Sequence, residues 1–328
     1  MKQVKVILAG GLNTDIIGAG VEEFVGPGEL TLGGRLVIGP GGKSRNMAQM
    51  AAAILGRGAV AMVGRTSRDP YSLWRVPLAA LRKAGVNTRY VKATAFGRAG
   101  KFPGVALIPV DGRGRNQIYV LPGVNADFSP RDIDAAARLL EQAGRAGGVF
   151  ALSLELPLAT AAHGIRTAVK HNLRVVLDPG GIDRKTDYRS ILNERVFVIK
   201  PNEYEAEILT GIKVRDFTTA RMAAARLRRR GISNVMITHG AHGAYLFTET
   251  AARHLPVPKV RDTGCHDETG CGDQVTAMLA GGLADGRSME AAAEDAVLAG
   301  ALQFMRIGIV PVTRRDLVAA RRTPHPDE

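Results

Sequence analysis

The chain has 328 residues, 45% apolar and 23% charged, with a formal net charge of +13 from 44 Lys and Arg against 31 Asp and Glu. That composition excludes a disordered or low-complexity polypeptide and supports one large core with an appendage, while the positive balance favours anionic partners such as phosphates. Two cysteines, Cys265 and Cys271, exclude a disulfide scaffold and fit a reducing cytoplasm, and every apolar run is interrupted before the roughly 18 residues that a membrane span needs.

Taken in order, Val4–Ala9 reads as a buried first strand, too short to cross a bilayer and followed by polar Asn13 and Asp15. Leu30–Ile38 carries a short strand pattern. Gly39-Pro40-Gly41-Gly42-Lys43-Ser44-Arg45-Asn46 opens an Ala-rich helix, Asn46–Leu55. It nearly mimics a P-loop, but Val37 stands where the Walker spacing needs Gly. What remains is a helix start with Lys43 and Asn46 beside a backbone that a ligand approaches closely, with Asn46 as a plain helix cap the alternative. Ala59–Val63 is a second core strand, and Gly104–Leu121 reads as a strand pair with a hairpin turn at Asp111-Gly112. No helix separates that pair, so it joins Leu30–Ile38 in a small antiparallel sheet apart from the main one.

Val149–Leu154, Val175–Leu177, Val196–Ile199 and Val235–Thr238 then alternate with helical stretches such as Thr218–Arg230 and Met289–Met305. That rhythm marks a mostly parallel sheet covered by helices on both faces. The densest basic cluster, Arg226–Arg230 before Gly231, reads as the last turn of a helix, where cations suit the dipole and Gly stops the chain. Aromatic residues are scarce and do not alternate with the basic ones, which argues against nucleic acid as a partner. The polar end, Arg322–Glu328, reads as a frayed tail.

Asp267-Glu268-Thr269-Gly270-Cys271-Gly272-Asp273 is the most chemical segment of the chain. Glycines on both sides of one small residue let successive backbone N–H groups turn toward a single point, and the helix that follows adds its positive dipole end. The nest suits a phosphate or a developing negative charge. Asp273 at that helix start reads either as an N-cap or as a base facing the nest. Cys265-His266 with Cys271 matches no standard zinc spacing.

Together these segments resemble the PfkB-family carbohydrate kinases, ribokinase-like members above all, over almost the whole chain. Gly10–Asp15 is similar to the opening sugar-binding turn, Gly41–Ala48 to the first family signature, Gly104–Val110 with Gly114-Arg115-Asn116 to the lid, and Leu154–Pro157 to a sugar-contacting segment. Lys200–Glu207 and Thr238–Gly243 are similar to the metal-phosphate and nucleotide segments, and Asp267–Asp273 to the second signature. The resemblance implies a ribokinase-like three-layer α/β/α sandwich with a β-sheet lid. The main domain would comprise 1–11, 41–95 and 124–321, the lid 12–40 and 96–123, and the tail 322–328.

It implies ATP-dependent transfer of a γ-phosphate to the primary hydroxyl of a small sugar, ribose-like first, with a nucleoside, fructose or 2-keto-3-deoxygluconate as alternatives. A non-catalytic sugar-binding regulator is the reading from another class. Asp273 would be the general base, and the N–H groups of Gly270, Cys271 and Gly272 would hold the migrating charge. Asn13, Asp15, Gly41, Gly42, Lys43, Asn46 and Glu155 would bind the sugar; Asn202, Thr238, Gly240 and Gly243 the nucleotide. Glu205 would hold Mg2+ through water, while Asp267, Thr269 and the segment Gln303–Gly308 would form a monovalent-cation loop for K+. His239 and His242 read as loop residues near the nucleotide. Family dimers pair through the lid, which implies a homodimer here. Glu268 departs from the pattern, standing where the family has Thr or another small residue.

Overall fold

The computed structural model describes residues 3–97, 100–192 and 195–322. In chain order its elements are β1 (Val6–Ala9), β2 (Asn13–Val21), β3 (Arg35–Gly41), α1 (Lys43–Leu55), β4 (Val60–Arg68), α2 (Arg75–Lys83), β5 (Asn87–Ala95), β6 (Gly104–Asp111), β7 (Tyr119–Leu121), α3 (Pro130–Asp134), α4 (Ala137–Arg145) and β8 (Val149–Ser153). They continue as α5 (Leu158–Lys170), β9 (Arg174–Asp178), α6 (Arg189–Leu192), β10 (Val198–Ile199), α7 (Glu203–Thr210), α8 (Phe217–Arg228), β11 (Asn234–Thr238), β12 (Ala244–Phe247), β13 (Ala252–Leu255), α9 (Cys271–Ala284), α10 (Met289–Phe304) and α11 (Arg314–Arg322).

Among the described residues the main sheet runs β13-β12-β11-β10-β9-β8-β1-β4-β5, parallel from β11 to β5. Its inner strands are apolar on both faces because helices cover both. Met47, Met50, Leu78, Leu81, Met278, Leu279 and Leu298 pack one face, and Leu140, Ile165, Ile191, Leu209 and Leu227 the other. The fold is therefore the three-layer, ribokinase-like α/β arrangement, with no described helix long and apolar enough to cross a membrane. After β1 the chain builds outward through β4 and β5. It then returns to the other side of β1 with β8, so the strand order reverses between β1 and β8, the place where open α/β sheets hold ligands.

The second sheet, β3-β2-β6-β7, projects from the carboxyl end of β1. Its outer pairings are antiparallel, as the sequence suggests, but β2 and β6 at its centre run parallel from Asn13↔Gly104 to Ala19↔Val110. Two connections enter the sheet in the same direction from the main domain, which requires that pairing. The structure corrects two further expectations: Asn13 and Asp15 lie on β2 and not in a turn, and the strand expected at Leu30–Ile38 is displaced to Arg35–Gly41. It also adds β12 with β13, which extend the mostly parallel main sheet as an antiparallel hairpin. These strands are short, polar or glycine-rich, and their pairing partners, not an apolar pattern, define them. Arg226 and Arg228 do end α8, with Gly231 at φ 97° beyond it. Of the expected tail, Arg322 closes α11 and 323–328 lie outside the described residues.

Candidate active site

The carboxyl ends of β1, β8, β9, β10 and β11 and the N-termini of α1 and α9 converge on one cleft beneath the lid. Ser44 fastens α1 to the reversal point: its Oγ donates to the Ala9 carbonyl or to Ser153 Oγ, each 2.9 Å away, and accepts the Ser153 N–H at 3.3 Å. Gly42, at φ 91°, begins α1, and a Cβ there would sit 2.9 Å from the Gly11 carbonyl, so only Gly lets the two segments touch. Asp15 folds over Gly41 so closely that a Cβ at Gly41 would overlap its carboxylate.

Asn46 is not a cap. It lies inside α1, buried, and donates Nδ2–H to Asp273 Oδ2 at 2.7 Å. Its Oδ1 accepts from Arg45, a fully buried guanidinium that also donates to the carbonyls of Gly41 (3.3 Å) and Pro40 (2.6 Å) and to Gln49. Arg45 thereby sets which end of the Asn46 amide meets Asp273 and ties the last residues of lid strand β3 to α1. Lys43 approaches the other Asp273 oxygen, Oδ1, at 3.9 Å, with its side chain 38% exposed against 6% for Asp273. The Lys43 backbone N–H donates to Glu155 Oε2 at 3.0 Å, which ties Glu155 to the start of α1 beside Asp273.

On the lid side, Asn125 Nδ2 donates to Asn13 Oδ1 at 2.8 Å and to the Leu12 carbonyl at 3.2 Å. With its oxygen engaged, the Asn13 amide offers its donor end to a ligand hydroxyl.

Asp273 is the third residue of α9, and the N-cap is Gly270 in the left-handed region, φ 75° and ψ 3°. Those angles close a turn in which Cys271 N–H donates to the Glu268 carbonyl at 3.2 Å. Of the three N–H groups expected to converge, the one on Cys271 is therefore committed to the turn, while Gly272 is exposed at the mouth of the nest. Glu268 serves that turn through its backbone and exposes its side chain. Burial pushes the Cys271 thiol up to about 12, so it is inert as a thiolate nucleophile.

Behind the nest lies a buried ion pair that the sequence reading did not single out. Asp178, the last residue of β9, meets Lys200 Nζ at 3.0 Å and accepts from Thr276 Oγ1 at 2.6 Å and Gly180 N–H at 2.8 Å. Lys200 Nζ also donates to the Gly272 carbonyl at 3.4 Å. A carboxylate closing a parallel strand and a lysine just past the next one were the available signal.

The charges are interdependent. Burial raises the Asp273 and Glu155 carboxyls above the ordinary carboxylate range against the pull of Lys43, and burial takes Asp15 to about 6 despite Arg45. Asp273 in turn holds the Lys43 ammonium above its usual range. Burial also raises Asp178, but Lys200, Lys43 and Thr276 together bring it below the ordinary range.

Asn202 and Glu205 form a capping box at the start of α7: Asn202 Oδ1 accepts Glu205 N–H at 2.8 Å, and Glu205 Oε2 accepts Asn202 N–H at 2.9 Å. Burial and then Asp178 raise the Glu205 carboxyl. Thr238 bridges to Asn202 at the end of β11, and Gly240 begins an exposed 3-10 turn, Gly240–His242. A Cβ at Gly243 would overlap the Leu255 carbonyl, so packing against β13 requires that glycine. Asp267 and Thr269 lie at the rear of the nest, with their polar groups facing Gln303 and Gly308.

The chain matches the pfkB family carbohydrate kinase description over residues 4–311. It is 33% identical over 261 residues to a deoxyribokinase of Salmonella typhi, covering 80% of each chain. It is 31% identical over 281 residues to a ribokinase of Haemophilus influenzae, covering 85% of this chain and 86% of the other. A ribokinase of Thermotoga maritima superposes with a TM-score of 0.82 at 26% identity over 98% of this chain and 100% of that one. The fold is also that of an Arabidopsis thaliana ribokinase complexed with ribose and ATP, with a TM-score of 0.84 at 23% identity over 98% and 100%.

Proposed function

The chain belongs to the pfkB family of carbohydrate kinases, phosphotransferases with an alcohol acceptor, and we propose that it transfers the γ-phosphate of ATP to the primary hydroxyl of a ribose-like sugar. The observation that carries the reading is the Asp273 carboxylate, buried and held at Oδ2 by Asn46 while Oδ1 stays beyond hydrogen-bond range of Lys43. One oxygen is fixed and the other is available. A raised carboxyl pKa makes that oxygen a better proton acceptor than a surface aspartate.

In this reading Asp273 Oδ1 takes the proton as the sugar oxygen attacks. Asp15, Asn13, Lys43, Asn46 and Glu155, with the Gly41-Gly42 backbone, fix the acceptor so that attack is in line. Lys200 and the Gly272 N–H, at the positive end of α9, face the charge that develops on the phosphoryl oxygens. Gly270 and Cys271 shape the turn that aims them. Asn202, Thr238, Gly240 and Gly243 line the nucleotide side.

Bound Mg2+ neutralises phosphate oxygens and orients them for transfer. The residues fit it: the repulsion between Glu205 and Asp178 favours a cation nearby, and Glu205 Oε2 is held by Asn202 N–H, as suits contact through water. The lid exposes a row of apolar residues on one face, Ile38, Leu107 and Tyr119 across the register, with Leu36 beside them. That face suits a second copy of the chain. Both cysteines are free, as in a reducing cytoplasm.

The test is a panel of ribose, 2-deoxyribose, fructose, 2-keto-3-deoxygluconate and nucleosides with ATP and Mg2+, the product mapped by phosphorus NMR. Phosphorylation of a pentose at its primary hydroxyl is expected. Turnover confined to nucleosides would replace the sugar reading, and binding without turnover would support the regulator.

A further inference from the structure

The chain segment after α10 braces the nest from behind. Ile309 lies against Gly270, where a Cβ would be 2.5 Å from Ile309 Cδ1. Asp267 Oδ1 accepts Thr269 N–H at 2.8 Å, and its Oδ2 accepts Gly308 N–H at 2.7 Å. Gln303, fully buried in the last turn of α10, donates Nε2–H to the Gly308 carbonyl at 2.6 Å and to the Thr269 carbonyl at 3.4 Å. Arg306 donates to the carbonyls of Val310 (3.3 Å) and Pro311 (2.9 Å), while its other terminal nitrogen lies 3.2 Å from Asp316.

A carboxylate and several carbonyls converging at the rear of a catalytic turn are the donors a monovalent cation would use. Here they do not fit one. The Thr269, Gly308, Val310 and Pro311 carbonyls each face a side-chain N–H, and both Asp267 oxygens face backbone N–H groups. A cation binding the Thr269 and Gly308 carbonyls would have to displace Gln303 Nε2. Nor is the amide interchangeable end for end, because turning it over would set Oε1 against two carbonyl oxygens. The present orientation leaves Oε1 buried without a partner among the described residues, a desolvation cost accepted in return for two donated bonds.

We propose that Gln303 is a positioning residue that takes the place of a monovalent cation. Its amide draws the Thr269 and Gly308 carbonyls together and so fixes the Glu268–Cys271 turn, Gly272 and Asp273. Phosphoryl transfer by this chain then needs no monovalent activator. The effect on turnover rests on the kinase reading above, whereas the effect on the loop does not.

The experiment compares the wild type with Gln303→Ala and Gln303→Glu in tetramethylammonium, Na+, K+ and ammonium salts at constant ionic strength. Wild-type turnover with ATP, Mg2+ and sugar is expected to be equal in all four within about twofold. In tetramethylammonium each variant should lose roughly tenfold or more in kcat, because a small displacement of the turn misaligns the reacting atoms. K+ or ammonium should restore most of that loss, which a merely structural role would not allow. Melting temperature is the second readout and needs no turnover. The wild type should melt alike in K+ and tetramethylammonium, while the variants should melt lower and gain about 2 °C or more in K+.

Wild type activated or stabilised several-fold more by K+ would overturn the proposal, with Gln303 Oε1 turning to join the ligands. Variants that match the wild type without K+ would overturn it too, as would variants that stay impaired and unstable in K+. Should no sugar be phosphorylated, the kinase reading fails while the melting comparison still decides the cation question.

Discussion

On the proposed acceptor side of the cleft, Arg45 orients Asn46 and Asn46 holds Asp273 side chain to side chain, the Lys43 backbone N–H holds Glu155, and the Lys43 ammonium faces Asp273 Oδ1 at 3.9 Å. On the proposed nucleotide side, half-buried Thr238 ends β11, and Gly240 and His242 lie on the exposed turn that follows, whose bonds are mostly local: His239 Nδ1 meets Tyr245 Oη at 3.2 Å, and the His254 ring meets the His242 carbonyl at 2.7 Å. The first half is preorganised for one geometry, as proton transfer and in-line attack demand. The second offers backbone and rings to a ligand whose position depends less on any one side chain. Substitutions should therefore be severe on the first side and mild on the second.

The largest effect is expected from Asp273→Asn, which keeps shape and loses the base: kcat should fall by about 10³-fold while sugar affinity changes little, as steady-state kinetics with calorimetric binding would show. Loss of affinity with unchanged kcat would move Asp273 to the binding set. Next comes Lys200→Met. Removing one partner of the buried Asp178–Lys200 pair should cost about 3 kcal/mol in denaturant unfolding and roughly 10- to 100-fold in kcat. Adding Asp178→Asn should recover part of the stability and little of the turnover, whereas recovery of both would reduce the pair to scaffolding.

Asp15→Asn should separate stability from function. The Asp15 carboxyl has a folded pKa of about 6 against an ordinary 3.8. Between those values the folded protein keeps a proton that the unfolded chain has released, so stability falls as pH rises through that window and stays lower above it. The variant should gain about 1–3 kcal/mol at pH 7 and little at pH 3.5, measured by thermal unfolding. It should also raise KM for the sugar about tenfold through a lost charged hydrogen bond. The smallest effect is expected from His242→Ala, less than about threefold in KM for ATP, as befits an exposed side chain.

Much of this architecture could be read from residues alone, for physical reasons. Inner strands such as Val149–Ser153 are continuous apolar runs, and the Asp267–Asp273 nest concentrates glycine, a carboxylate and a helix start in seven residues. The strands of the lid and the β12–β13 hairpin were harder, because their registers depend on distant partners. Arg45 was invisible as a site residue: beside Lys43 it reads as one more surface cation, and only its burial against Asn46 shows its role. Asp178 and Lys200 lie 22 residues apart and meet because β9 and β10 are neighbours in the sheet. The resemblance placed Gln303 at the edge of a cation loop but gave its side chain no role, since a single buried amide gains meaning from the carbonyls it faces.

Whether a buried Asp273 accepts the sugar proton is decided by the pH dependence of kcat at saturating sugar, ATP and Mg2+. Burial raises the Asp273 carboxyl, and kcat reports the base in the substrate-bound enzyme. An acidic limb with an apparent pKa above the ordinary aspartate range is expected, and its disappearance in the residual activity of Asp273→Asn. A kcat that stays level down to about pH 4.5, with circular dichroism showing the protein still folded, would contradict it.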